Sequence, residues 1–170
     1  MSSQIDRAAL AAAQWKRELP GLDVGAMEVI GRLNETAIVI GRDYLEPVFA
    51  RHGLQRGEFD VLATLRRSGA PFALTPTDLY QATMLSSGGM TARLDKLEKA
   101  GLIARRPNPD DRRGTIVVLT EPGRKVTEAA LAEHAANETR MLAVLAPGEQ
   151  AQLGALLKKL LRSLSRSGEA

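Results

Sequence analysis

The chain contains no cysteine, which excludes a disulfide framework, a thiolate zinc site, an iron–sulfur cluster and a cysteine nucleophile. A cysteine-free chain suits a reducing compartment, so the cytoplasm is the expected location. Histidine is nearly as scarce. The two present, His52 and His134, stand in no H-E-x-x-H arrangement, and no P-loop, G-x-G-x-x-G or G-x-S-x-G elbow occurs. The residues therefore supply neither a metal site nor an acyl-transfer constellation; no enzyme activity, catalytic residue, metal or cofactor is expected. Aromatic residues make up only 4% of the chain, with Trp15 the single tryptophan. No apolar run approaches the roughly 18 residues of a membrane span, and Met1-Ser2-Ser3-Gln4-Ile5-Asp6 lacks the basic start and apolar stretch of a signal peptide. No membrane association is expected.

What is present is an ordinary globular composition of 170 residues, 44% hydrophobic and 25% charged, enough for one domain with a real core. The net charge of +3 looks weak until it is located. Residues 56–120 hold 10 Lys/Arg against 7 Asp/Glu, and the rest of the chain holds 13 of each. All the excess is mid-chain, where it points to a polyanionic partner.

Apolar spacing predicts mostly helix. Ile5, Ala8, Ala12, Trp15 and Leu19 share one face of a helix over about 4–19, which Pro20-Gly21 stops. A longer helix is expected over 24–51, ending at His52-Gly53, and a third over 56–68 with Phe59, Leu62, Ala63 and Leu65 available for burial. Thr75-Pro76-Thr77-Asp78 reads as a helix start, with Thr75 as N-cap and Pro76 in the first turn. After Met84-Leu85, Ser86 or Ser87 can cap a further helix to Ala100, closed by Gly101. Two short helices joined by a tight turn make a helix-turn-helix. The period then changes: Leu102–Arg106 and Thr115–Leu119 are β-prone runs flanking a charged tip at 107–114, a hairpin placed as a wing. From Thr120 the chain is helical again, to about Leu145 and then, after Pro147-Gly148, along a leucine stripe from Leu153 to Leu164 that needs a partner surface.

On the helix 86–100, Met90, Leu94 and Leu97 form the buried stripe, with Gly88, Thr91, Ala92, Asp95 and Lys99 opposite. Small residues in its first turn (Ser86, Ser87, Gly88, Gly89) let backbone approach DNA, and Ser87, Thr91 and Lys96 can reach groove edges or phosphate. The wing carries Arg105, Arg106, Arg112 and Arg113 beside Asp110 and Asp111. Guanidiniums on a protruding hairpin suit a narrow minor groove, with Asp111 orienting a neighbouring arginine.

The run from Thr75 to Thr120, with Asp110-Asp111-Arg112-Arg113-Gly114 in the wing and the closing Leu119-Thr120-Glu121-Pro122-Gly123, resembles the MarR family of winged helix-turn-helix transcriptional regulators. The flanking helices extend the likeness over nearly the whole chain. The resemblance implies a mainly α fold with a small β-wing and one domain over 1–170: an extra N-terminal helix at 1–22, dimerisation helices at 24–53 and 121–166, and the winged helix-turn-helix at 56–120. It further implies a homodimer on a pseudo-palindromic DNA operator, with the helix 86–100 in the major groove and Arg113 or its neighbour in the minor groove. Autoregulation and control of a neighbouring transporter or catabolic gene would follow.

The added N-terminal helix, with Gln14-Trp15-Lys16-Arg17-Glu18 followed by Pro20-Gly21-Leu22-Asp23, is similar to the urate-responsive (UrtR/PecS-like) branch of that family. The branch implies four ligand-linked positions: Trp15, Asp60, Arg93 and Arg105. These positions also make sense on their own terms. Asp60 lies inside an apolar run and Arg93 points inward rather than at DNA, so the two could pair; Trp15 offers a planar face, or else packs the added helix. Arg105 could hold an anion or a phosphate. The expected mechanism has an anionic purine such as urate settle between Trp15 and Arg105, repel Asp60 and draw Arg93 and the recognition helix out of register. Two alternatives stand beside it: a regulator answering a different aromatic carboxylate, and an architectural DNA binder without an effector.

Overall fold

The computed structural model describes residues 6–83, 89–109, 111 and 114–167. α1 (Arg7–Glu18) opens on Asp6, whose carboxylate accepts from the Ala9 amide at 2.9 Å, and ends with Lys16 and Arg17, the charge order a helix dipole favours. It lies against α2 (Gly25–Val39) so closely that a β-carbon on Gly31 would stand 2.9 Å from that of Ala8. Arg32 fastens the pair with ion pairs to Asp6, at 2.8 Å, and to Glu28.

The single helix expected over 24–51 is a continuous rod with one defect. α2 runs into a wide π turn at Ile40–Leu45 before α3 (Glu46–Arg51) resumes. An expanded turn leaves carbonyls that need donors from elsewhere, and buried Asn137 supplies one, donating Nδ2 to the Tyr44 carbonyl at 2.8 Å. The turn also brings Gly41 into the interior.

α4 (Arg56–Arg67) follows, then a short strand β1 (Ala73–Leu74), α5 (Pro76–Ala82), α6 (Met90–Lys99), β2 (Ile103–Pro107), β3 (Thr115–Leu119), α7 (Glu121–Leu142) and α8 (Pro147–Ser167). The fold is mainly α with a small β-wing. The hairpin β2–β3 pairs Ile103 with Leu119 and Arg106 with Ile116, and β1 joins the other edge of β3, pairing Ala73 with Val118, for an antiparallel order β1-β3-β2. β1 was not expected: two residues carry too little alternation to be seen in sequence.

One core lies under the helix-turn-helix. Phe49 stacks on Phe59 with centroids 4.3 Å apart, and Leu62, Leu65, Leu79, Leu97, Ile103 and Val117 are essentially inaccessible. The opposite situation holds at the chain ends. Leu10, Trp15 and Leu19 on or just after α1, Val29 and Ile38 on α2, and Leu156, Leu161 and Leu164 on α8 are exposed. Among the described residues no helix is long and apolar enough to cross a membrane.

Candidate DNA interface and effector clefts

The helix-turn-helix is built as its sequence dictates. Thr75 accepts from the Asp78 amide at 3.1 Å and donates to the Asp78 carboxylate at 2.7 Å, Pro76 occupies the first turn, and Leu79 is fully buried. α6 buries the expected stripe of Met90, Leu94 and Leu97. That orientation leaves Thr91, Ala92, Asp95, Lys96 and Lys99 facing outward. The described part of this helix starts at Met90, with Gly89 at φ 85° in the left-handed region as its N-cap. The expected caps and DNA contacts Ser86, Ser87 and Gly88 lie outside the described residues, as do Asp110, Arg112 and Arg113 of the wing tip.

Lys96 carries a structural task as well. Its Nζ lies 2.6 Å from Oε1 of Glu58, a carboxylate only 3% exposed, whose other oxygen accepts from the Gln55 amide at 2.8 Å. A buried carboxylate must be paired, so the recognition helix is tied to the first turn of α4. Sequence spacing gives no hint of this pair, because its members are far apart in the chain.

Arg105 likewise proves to be a joint. From β2 it donates its backbone amide and Nη1 to Glu98, at 2.9 and 2.5 Å, and Nη2 to Asp95 at 2.6 Å. The wing is thus locked to the outer face of α6. The Arg105 amide, and then its guanidinium, hold the Glu98 carboxyl below its ordinary range, and Asp95 followed by Glu98 raises the guanidinium in return. Arg106, next along β2, faces solvent, and Asp111 is exposed beside Gly114, whose amide donates to the Asp111 carbonyl at 2.8 Å.

The base of the wing is fixed by the Leu119-to-Gly123 segment. Thr120 caps α7 by accepting from the Gly123 amide at 3.1 Å while its hydroxyl donates to the Gly101 carbonyl at 2.7 Å. A β-carbon on Gly123 would lie 1.9 Å from the Leu102 carbonyl oxygen, so no other residue fits there.

Among the described residues, the four positions expected to be ligand-linked are spread over two separate clefts and an ion-paired joint. Asp60 lines a cleft of about 530 Å³ between α4 and α7, together with Phe59, Arg66, Arg67, Leu131 and His134. Arg93 lines a second cleft of about 410 Å³ with Glu46, Ala50, Gln55, Arg56 and Gly57. Arg105 is taken up by Asp95 and Glu98, and Trp15 borders neither cleft. Among the described residues no ion pair joins Asp60 to Arg93, the partners expected from sequence. Arg93 lies instead across Gly57, where a β-carbon would stand 2.5 Å from Nε, and its Nη1 is buried without a hydrogen-bond partner. The reason is geometric: glycine at 57 opens a path over the start of α4 that the guanidinium takes.

A helix-turn-helix with a pinned β-hairpin defines the winged-helix class of DNA-binding domains. Residues 52–114 match the MarR family profile. The chain is 40% identical over 151 residues to the HTH-type transcriptional regulator PecS of Dickeya dadantii (strain 3937), covering 89% of this chain and 90% of that protein. It is 33% identical over 120 residues to the multiple antibiotic resistance protein MarR of Salmonella typhimurium, covering 70% and 78% of the two. Among solved structures it is similar to a mutant MarR from E. coli complexed with operator DNA, with a TM-score of 0.68 and 26% identity over 86% of this chain and 97% of that one. It is also similar to BpsR of Bordetella bronchiseptica, described as regulated in DNA binding by 6-hydroxynicotinic acid, with a TM-score of 0.67 and 25% identity over 77% and 91%. The chain belongs to the MarR family of DNA-binding transcriptional regulators, not to an enzyme family.

Proposed function

We propose that this chain is a homodimeric, effector-released repressor that binds a pseudo-palindromic operator. The observation that carries the reading is the fusion of α6 and the wing through Arg105, which presents Thr91, Ala92, Lys96 and Arg106 as one rigid surface. In this reading α6, with Ser86, Ser87 and Gly88 before it, enters the major groove, and Arg112 or Arg113, oriented by Asp111, enters the minor groove. The exposed large apolar residues of α1, α2 and α8 support a dimer, which would cover side chains that otherwise stand in water. Two recognition helices would then meet half-sites about one helical turn apart.

The effector we propose is a small anionic aromatic, urate or a related purine, acting through the positions Trp15, Asp60, Arg93 and Arg105. The 40% identity to PecS over most of both chains, together with the presence of α1, supports this choice. Of the four, Arg93 is the one whose side chain joins a cleft to the recognition helix, so it transmits the signal. The likeness to BpsR favours a second reading, a pyridine or benzene carboxylate in place of the purine.

Fluorescence anisotropy at fixed salt, with duplex DNA from upstream of the protein's own gene and a scrambled duplex of equal length, tests the DNA-binding part. A preference of about 10³-fold or more for the native sequence is expected of a specific regulator; equal affinity would make the protein an architectural binder.

A further inference from the structure

We propose that the cleft between α3, the first turn of α4 and Arg93 of α6 is the site that holds the effector's charged edge, with Arg56 and Arg93 gripping the anion and Glu46 accepting from an N–H on the opposite edge of the same molecule. The inference deepens the effector reading above and rests on it.

Three observations place a binding site here. First, both arginines reach the cleft across glycines. Arg56 lies over Gly41, where a β-carbon would stand 3.3 Å from Nη1, and Arg93 lies over Gly57 at 2.5 Å from Nε. Second, among the described residues the ion pairs of the neighbouring elements leave both out: Lys96 takes Glu58, and Arg42 takes Asp43. Nη1 of Arg93 is buried without a partner, which an arginine does not tolerate cheaply unless something arrives to accept its hydrogen. Third, the cleft, about 410 Å³, is large enough for a bicyclic ring and has Ala50 and Leu54 in its wall to cover a flat face.

The donor set also selects among anions. Two guanidiniums match a delocalised oxyanion, since a guanidinium presents paired N–H groups in a plane. Glu46 is a carboxylate in the same cleft, and it would repel a ligand that carries only acceptors. It favours a ring that is anionic on one edge and carries N–H on the other, which describes an oxidised purine anion and not a simple benzoate. The cleft connects to DNA binding through α6 itself. Arg93 belongs to α6, and the α4 turn it crosses is the one that Glu58 ties to Lys96. An anion that draws Arg93 off Gly57 therefore acts on the recognition helix directly.

The test titrates urate, xanthine and benzoate into the operator-bound full-length protein and its variants Arg56→Gln and Glu46→Gln, each normalised to its own operator affinity without ligand. For Arg56→Gln, the urate concentration giving half release should rise by about tenfold or more, the loss of one charge-assisted hydrogen-bonding group. Glu46→Gln should narrow the preference for urate over benzoate. If the wild type responds to urate and both variants respond identically to it, the cleft is not the site and the effector reading survives. If the wild type binds its operator and none of the three ligands releases it, the effector reading and the cleft fall together.

Discussion

The guanidinium of Arg93 rests on the backbone of Gly57, where α4 has no side chain of its own to block it. Replacing Gly57 by alanine puts a methyl group into that path. The arginine must swing away, while alanine offsets part of the strain through its better helix propensity, worth about 1 kcal/mol. Gly57→Ala should therefore shift the melting temperature by only about 2–4 °C, the change expected for about 1 kcal/mol in a chain of this size. Its response to effector should change much more, read as the ligand concentration that half-releases operator DNA. A variant with unaltered release would show that Arg93 does not need its seat on Gly57.

Gly123 is constrained far more tightly, because the obstacle there is the Leu102 carbonyl at the foot of the wing rather than a flexible side chain. Gly123→Ala should destabilise the fold by about 3 kcal/mol or more, the upper range for forced overpacking. Urea denaturation followed by circular dichroism would measure it. Stability equal to the wild type would contradict the contact.

Lys96→Ala leaves the buried Glu58 carboxylate without its partner on α6. The expected loss is about 1–3 kcal/mol, the desolvation penalty of an abandoned buried acceptor. The double variant Lys96→Ala with Glu58→Gln should recover part of that loss, and a thermodynamic cycle over the four proteins isolates the pair. Additive effects would show that the two residues do not couple.

Acid should loosen the wing. The amide and guanidinium of Arg105 depress the Glu98 carboxyl below its ordinary value of 4.5, so the folded state binds its proton less readily than the unfolded chain does. The contribution is complete above pH 4.5 and is lost as pH falls through the lower folded-state value. Unfolding midpoints measured between about pH 3 and pH 6 should fall toward acid, and Glu98→Gln should flatten that fall by one carboxylate's share. A variant with the wild-type slope would mean the pair is not maintained in solution.

Much of this architecture was legible in the sequence because it rests on local rules. Thr75-Pro76-Thr77-Asp78 announces the helix it caps, the spacing of Met90, Leu94 and Leu97 gives the buried side of α6, and the period change at Leu102 gives the wing. What escaped depends on residues distant in the chain. One carbonyl of the π turn at Ile40–Leu45, that of Tyr44, is satisfied by Asn137 from α7, and β1 pairs only along the edge that β3 offers it. The site is less legible in the sequence than the fold. The inward direction of Arg93 followed from its helical angle, but its seat on Gly57, the engagement of Lys96 by Glu58 and that of Arg105 by Asp95 and Glu98 are tertiary choices. Glycine at the start of a helix, at 57, and inside one, at 41, was the available signal: a residue costly to helix propensity implies that something must pass close by.

The most direct test of the account is a titration of urate into the purified protein bound to fluorescent duplex DNA from upstream of its own gene, at constant salt and pH. Tight, sequence-selective binding that urate weakens by about 5- to 150-fold is expected, the range of an ordinary allosteric coupling of about 1–3 kcal/mol. Operator binding that stays unchanged at saturating urate would contradict it.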